Sequence, residues 1–102
     1  MNLLSDEQAV DMALSFNDFE REVILLCARK SSIGYARMAE ALDAPYRRVQ
    51  TVGRLLQAKR LAYVDTVRNV LDNYAGSALF LNARGEQVRH VLNLQKRLRE
   101  QQ

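Results

Sequence analysis

The chain has 102 residues and a net charge of +3, which suits one domain with a modest hydrophobic core and excludes a deep enzyme cleft on its own scaffold. No apolar stretch approaches the roughly 18 residues that span a membrane, and no basic region precedes a long apolar core at the N-terminus, so we expect no secretory signal. The single cysteine, Cys27, lies in the apolar run 23–28 without a disulfide partner. This favours a reducing, cytoplasmic setting.

Charge is distributed unevenly along the chain. Residues 1–28 hold six acids and one base, Arg21, whereas residues 29–60 hold eight bases against Glu40 and Asp43. The net charge therefore changes from about −5 to about +6 between adjacent segments. The second segment would attract a polyanion such as nucleic acid, although an ordinary solvated face also carries runs of charge.

Two helices are predicted in the first third of the chain. Ser5 is a favourable N-cap and acids follow it, which predicts a helix over residues 6–14. Asn17 can cap a second helix over residues 18–30. Residues 31–34 break the pattern and could hold a short strand.

Two further helices, over residues 35–42 and 45–59, are separated by a tight turn. Pro45 suits the first helical position of the second helix, because it has no amide to leave unpaired there. The apolar residues of that helix recur at three- and four-residue spacing, as one buried stripe requires. That stripe consists of Val49, Val52, Leu55 and Leu56.

After Arg60 the pattern changes from helix-like to strand-like. Residues 61–67 and 78–81 are rich in β-favouring side chains, and the segment between them has a turn composition, which together predict a β-hairpin. Asn82 can cap a last helix over residues 83–100. With no internal repeat or linker, we expect one domain over 1–102. Its parts are an N-terminal helix (1–16), a core with the hairpin (17–82) and a C-terminal helix (83–102).

This order of elements resembles winged helix-turn-helix transcription regulators of the multiple-antibiotic-resistance-regulator type and related small dimeric families. Residues 42–45 (LDAP) occupy the turn, and 59–63 (KRLAY) stand where the family shows a small residue and a leucine before the first wing strand. Residues 81–85 (LNARG) are similar to the Leu-Thr-x-x-Gly that leads into the final helix. The resemblance implies a mainly α fold with a small β-hairpin wing, flanking N- and C-terminal helices, and DNA binding by the recognition helix 45–59.

Two positions depart from the family pattern. Arg60 replaces the usual glycine after the recognition helix, so we expect the chain to reverse there through another conformation. Arg68 precedes the wing tip, but Asp72 lies within it. A wing that grips the minor groove normally carries arginine or lysine at its tip.

The side of the recognition helix left outside its apolar stripe is basic and polar. Arg47 and Arg48 lie in its first turn, where an arginine can bind guanine bidentately, worth roughly 1–3 kcal/mol of discrimination. The alternatives are a solvated face or ion pairs to Glu40 and Asp43. The candidate DNA-binding residues are Arg37, Tyr46, Arg47, Arg48, Gln50, Thr51, Arg54 and Arg68.

These candidates are expected to differ in role. Gln50 and Thr51 could read adenine or a thymine methyl group, whereas Arg54 and Arg37 are better suited to phosphate. Tyr46 could contact the sugar–phosphate backbone, or it could pack on the preceding helix.

The first and last helices carry more apolar residues than a lone domain needs. In the resembled families such helices build a two-fold dimer that sets two recognition helices about 34 Å apart, one turn of DNA. The alternative is that both helices fold back on their own domain. The candidate dimerisation residues are Val10, Leu14, Val91, Leu94 and Leu98.

Nothing in the sequence indicates catalysis or a cofactor. There is no glycine-rich phosphate loop and no cysteine–histidine pair, and the only histidine, His90, has no obvious co-ligand for a metal. Cys27 is interpreted as a small core residue, since a redox cysteine needs an exposed thiolate. We therefore expect neither an enzyme nor a metal site.

The leading interpretation is a homodimer that binds double-stranded DNA as a transcriptional repressor, without a membrane role. One alternative is a winged-helix module whose basic helix binds an acidic protein. Another is a centromere-binding protein of plasmid partition. A small-molecule effector between the apolar helices is conceivable, but no residue pattern names one.

Overall fold

A computed structural model of the chain describes residues 2–27, 34–69 and 74–101. These residues form five helices and one antiparallel pair of strands, which confirms a mainly helical chain with a small two-stranded sheet. No helix in the described ranges is both long and apolar enough to cross a membrane. The elements are α1 (Asp6–Leu14), α2 (Asp18–Leu26), α3 (Tyr35–Ala41), α4 (Tyr46–Ala58), β1 (Ala62–Asn69), β2 (Tyr74–Leu81) and α5 (Ala83–Glu100).

Local capping explains where α1 and α2 begin. The Ser5 hydroxyl accepts from the Gln8 amide at 3.1 Å, while the Gln8 side chain accepts from the Ser5 amide at 2.8 Å. Asn17 and Glu20 form the same reciprocal pair, with both distances 2.8 Å. Each capping box satisfies two amides that a helix start otherwise leaves free, and both predicted caps are confirmed.

Helix α2 is shorter than predicted. It ends at Leu26 rather than near residue 30, because Cys27 leaves the helical region (φ −75°, ψ 150°) and its side chain enters the core. Residues 28–33 lie outside the described part of the chain, and so does most of the strand expected over 31–34. Gly34 is described, and it forms an antiparallel bridge with Ala78 on the outer edge of β2.

One core joins all five helices and the sheet. Strand register places the buried pair Ala62 and Leu81 opposite each other at the base of the sheet. Side chains of every helix fill the space beside this pair. The largest fully buried side chains are Ile24, Met38, Leu56, Leu61, Leu79, Leu81 and Leu92.

A left-handed residue closes α3. Asp43 has φ 50°, and around it the Ala44 amide donates to the Ala39 carbonyl at 2.9 Å and the Asp43 amide to Glu40 at 3.2 Å. This is the Schellman arrangement that satisfies the last carbonyls of a helix. The chain then leaves the turn through an extended Pro45 (ψ 143°), so Pro45 caps α4 and Tyr46 is its first residue. The prediction that Pro45 is the first helical residue was wrong by one position.

A second left-handed residue closes α4. Arg60 has φ 60°, the Leu61 amide donates to the Leu56 carbonyl at 2.9 Å, and the Arg60 amide donates to Gln57 at 3.0 Å. The expectation that Arg60 avoids the glycine-type conformation was therefore wrong. The two hydrogen bonds and the burial of Leu56 and Leu61 hold a non-glycine residue in a region that it ordinarily disfavours.

Asn82 joins the end of α4 to the start of α5. Its Nδ2 donates to the Arg60 carbonyl at 2.8 Å, its Oδ1 accepts from the Gly85 amide at 3.0 Å, and its own amide donates to Leu61 at 3.0 Å. A side chain at Gly85 would collide with the Leu61 carbonyl and with Leu81. The predicted cap is confirmed, and the same residue also fastens the preceding turn.

The N-terminal segment is held on α5. The Gln87 amide group forms two hydrogen bonds to the main chain of Leu4, both 2.8 Å, and Arg84 Nε donates to the Asn2 carbonyl at 2.6 Å. Helix α1 accordingly packs along α5 and buries Ala9 and Ala13.

The left-handed turn at Arg60 yields a stability prediction. Arg60→Gly should raise the free energy of unfolding by about 1 kcal/mol, because the left-handed conformation costs a non-glycine residue about 1–2 kcal/mol and the greater freedom of unfolded glycine offsets part of the gain. Urea denaturation followed by circular dichroism measures it. The control is Lys59→Gly, at φ −84°, which should lower stability. An equal loss of stability in Arg60→Gly and Lys59→Gly would contradict the left-handed conformation of Arg60.

Candidate nucleic-acid interface

One face of α4 is exposed and basic, and the opposite face is buried. Val49, Val52 and Leu56 are at most 5 % exposed. Three exposed residues, spaced by four and three positions, lie together along the outer side of α4, and we call them the outer line of α4. They are Arg47, Thr51 and Arg54. Helix α4 contains no acidic residue, and no side chain caps its N-terminus. The outer line therefore combines positive side chains with the positive end of a helix dipole.

The arginines of this face are not engaged by carboxylates. Within residues 2–27, 34–69 and 74–101, no acid lies at ion-pair distance from Arg47, Arg48 or Arg54, so the alternative of pairing with Glu40 or Asp43 is not observed. The Thr51 hydroxyl donates to the Arg47 carbonyl at 2.9 Å. Its methyl group and lone pairs remain for an outside contact.

Two candidates on this helix contact neighbouring helices. The Arg48 guanidinium lies 3.9 Å above the Phe19 ring of α2, a cation–π contact that fixes its direction. The Tyr46 ring meets Tyr35 of α3 edge-on, with centroids 5.9 Å apart, and stays 42 % exposed. The alternative that Tyr46 packs on the preceding helix is thus observed, and part of its ring remains accessible.

The remaining two candidates lie on other elements. Arg37 is exposed on α3. Arg68 belongs to β1 by its main chain, but its side chain lies outside the described part of the chain, as does Asp72 at the expected wing tip.

A polar cleft of about 220 Å³ separates α4 from the sheet. Sequence reasoning placed Gln50 and Arg54 in the interface and missed the other residues of this cleft. A sequence signal that could have indicated this cleft is Gly53, because a glycine inside a helix can have a packing reason. In the structure, a side chain at this position would collide with the Tyr35 hydroxyl. The lining residues are Tyr35, Gln50, Arg54, Gln57, Val64 and Ser77.

Four of the five candidate dimerisation residues are exposed on α1 and α5, whereas Val91 is partly buried and packs against the core of its own domain. Val10, Val91 and Leu94 line one groove of about 340 Å³ between the two helices. The other two residues are more exposed, Leu98 at 62 % and Leu14 at 58 %. Leu98 lines a groove with Arg21, and Arg21 donates a long hydrogen bond to the Leu14 carbonyl. We call these five residues the α1–α5 stripe.

Cys27 is chemically protected. The side chain is fully buried, and burial raises the pKa of the thiol from 9.0 to about 12, against a smaller lowering by Arg89. In the part of the chain that the structure describes, no three histidine, cysteine, aspartate or glutamate side chains are close enough to hold a metal.

No protein-family model matches the chain, and no curated protein is significantly similar to it. The geometry of the α4 face and of the α1–α5 stripe is therefore what bears on function.

Burial of Cys27 predicts alkaline instability. The unfolded thiol ionises near pH 9 while the folded thiol stays protonated to about pH 12. Stability from this group is therefore complete below pH 9 and is lost as the pH rises from 9 to 12, by up to about 1.4 kcal/mol per pH unit. Urea denaturation across this range should give a flatter curve for Cys27→Ala than for the wild type, and superimposable slopes would disprove the assignment.

Proposed function

We propose that this chain binds double-stranded DNA as a homodimeric transcriptional repressor of the winged helix-turn-helix type, with α4 as recognition helix and β1–β2 as wing. The observation that carries the proposal is the outer face of α4. Arg47, Thr51 and Arg54 share one line there, and no carboxylate in the described ranges neutralises them.

The dimensions of α4 suit a major groove. Its 13 residues span about 20 Å, and an α-helix fits the width of the major groove of B-DNA. Arg47 lies in the first turn, the part of a recognition helix that meets base edges, and its guanidinium can bind guanine O6 and N7 together. Arg48, held on Phe19, would direct its charge toward the flank of the helix and so toward phosphate.

The α1–α5 stripe supports the homodimer. Leu14 and Leu98 are each more than half exposed, so a partner that covers them would gain the free energy of burying their apolar surface. A two-fold contact through this stripe would leave both α4 faces free. It would also present two recognition helices to successive turns of a pseudo-palindromic site.

Substitutions of Arg47 and Arg37 should affect DNA binding in different ways. If about six phosphates per dimer are neutralised, the logarithm of affinity falls with the logarithm of salt with a slope of about −5. Arg47→Ala should weaken a duplex selected from genomic fragments by roughly 1–3 kcal/mol more than random duplex, and Arg37→Ala should weaken both alike. Fluorescence anisotropy at two salt concentrations measures the salt slope and the affinity losses of the two variants.

Three outcomes would count against these roles. Equal losses for Arg47→Ala on both duplexes would remove its base-reading role. No binding by the wild type near physiological salt would overturn DNA binding itself. A stable complex with an acidic protein in that case would establish the protein-interaction alternative.

Dimerisation should depend on the α1–α5 stripe. Leu94→Glu places a charge in the groove with Val10 and Val91 and should shift the protein to monomers in sedimentation velocity. Ala58→Glu, which adds the same charge at an exposed site on α4, should leave the oligomeric state unchanged. A monomeric wild type, or a dimer that Leu94→Glu does not weaken, would exclude this surface as the interface.

A further inference from the structure

The cleft between α4 and the sheet has the chemistry of an anion site. Arg54 lines it from α4, Ser77 from β2 and Tyr35 from α3. Among the residues that the structure describes, no carboxylate lines it. A group entering this cleft would therefore meet one full positive charge together with neutral hydrogen-bond donors.

The Tyr35 hydroxyl is the unusual element of the cleft. Tyr35 is only 4 % exposed, its ring packs edge-on against Tyr46, and its hydroxyl lies directly against Gly53 of α4. Burial raises the pKa of this hydroxyl, so it remains a neutral donor. It can therefore donate a hydrogen bond to an acceptor that enters the cleft.

Gly53 lets Tyr35 pack directly against α4. The absence of a side chain lets the Tyr35 hydroxyl lie directly against α4, where any larger residue would collide with it. Tyr35 thereby reaches the same side of α4 as Arg54, whose charge acts on the Tyr35 hydroxyl. Arg54 is thus shared between the cleft and the outer line of α4.

We propose that this cleft holds one phosphate of the DNA backbone, paired with Arg54 and accepting hydrogen bonds from the Tyr35 and Ser77 hydroxyls. The inference rests on the proposed DNA binding and adds Tyr35 and Ser77 as residues that position the duplex. Phosphate oxygens accept such bonds from tyrosine, serine and arginine alike, and these contacts set register without reading sequence. A phosphate seated here would lie beside the groove that the outer line of α4 enters.

The test compares single-hydroxyl and charge variants by anisotropy on selected and random duplexes. Tyr35→Phe should weaken both duplexes by about ten-fold per protomer and leave the salt slope unchanged. Arg54→Gln should lower the magnitude of the slope by about 1 per protomer. In the Arg54→Gln background, Tyr35→Phe should cost less than it does alone, because both act on the same phosphate.

Matched variants separate this effect from folding. Tyr63→Phe removes a hydroxyl from an exposed ring stacked on Phe80 and should bind as the wild type does. Ser77→Ala, at an exposed position of β2, should weaken both duplexes without a change in thermal unfolding. It therefore tests the cleft even if Tyr35→Phe is less stable.

The outcomes distinguish the two proposals. Wild-type protein that binds no DNA would overturn the proposed function and the cleft proposal with it. Wild-type binding with Tyr35→Phe and Ser77→Ala indistinguishable from Tyr63→Phe would overturn the cleft proposal alone. Displacement of the duplex by inorganic phosphate beyond chloride of equal ionic strength, lost in Tyr35→Phe, would support the cleft proposal, because free phosphate would then compete with the backbone phosphate for the same seat.

Discussion

The junction at Asn82 positions the candidate interface. Its side chain binds the carbonyl of Arg60 and the amide of Gly85, while its main chain binds Leu61. Polar groups at a helix end need such partners when water is excluded, and here one residue serves the end of α4 and the start of α5. Because Gly85 lets α5 approach the Leu61 carbonyl, α4, the sheet and α5 have fixed relative positions.

The other close approach lies at Gly53. Tyr35 occupies the space that a side chain would fill, and so α3 and α4 pack with the Tyr35 hydroxyl beside the outer face of α4. Burial of the α4 stripe leaves Arg47 and Arg54 on the solvent side. The proposed recognition of bases and the proposed seat for a phosphate therefore depend on the same helix packing.

The two proposed contacts use separate surfaces. The acids of α1, Asp6 and Asp11 among them, lie on the helix that packs along α5, whereas α4 carries bases and no acid. A second copy on the α1–α5 stripe and a duplex on α4 would thus not compete. The carboxylates of α1, which would repel phosphate, belong to the helix proposed to meet the second copy.

The sequence by itself determined the features that depend on neighbouring residues. The capping side chains of Ser5, Asn17 and Asn82 were identified correctly, because a cap acts within three residues. The buried stripe and exposed face of α4 followed from a period of 3.6 residues. The roles of the exposed residues in binding DNA or a second copy remain predictions.

The tertiary structure decided what depends on residues distant in the chain. Helix α2 ends before Cys27, whose backbone is extended and whose side chain is buried in the core. Arg60 takes the left-handed conformation that the sequence argued against, because hydrogen bonds from Asn82 and to α4 hold it there. Tyr35 of α3 and Ser77 of β2 line the same cleft beside α4. The periodicity of a helix or a strand carries no information on such pairs. Long-range packing alone creates them, since burial of the shared core outweighs local preference.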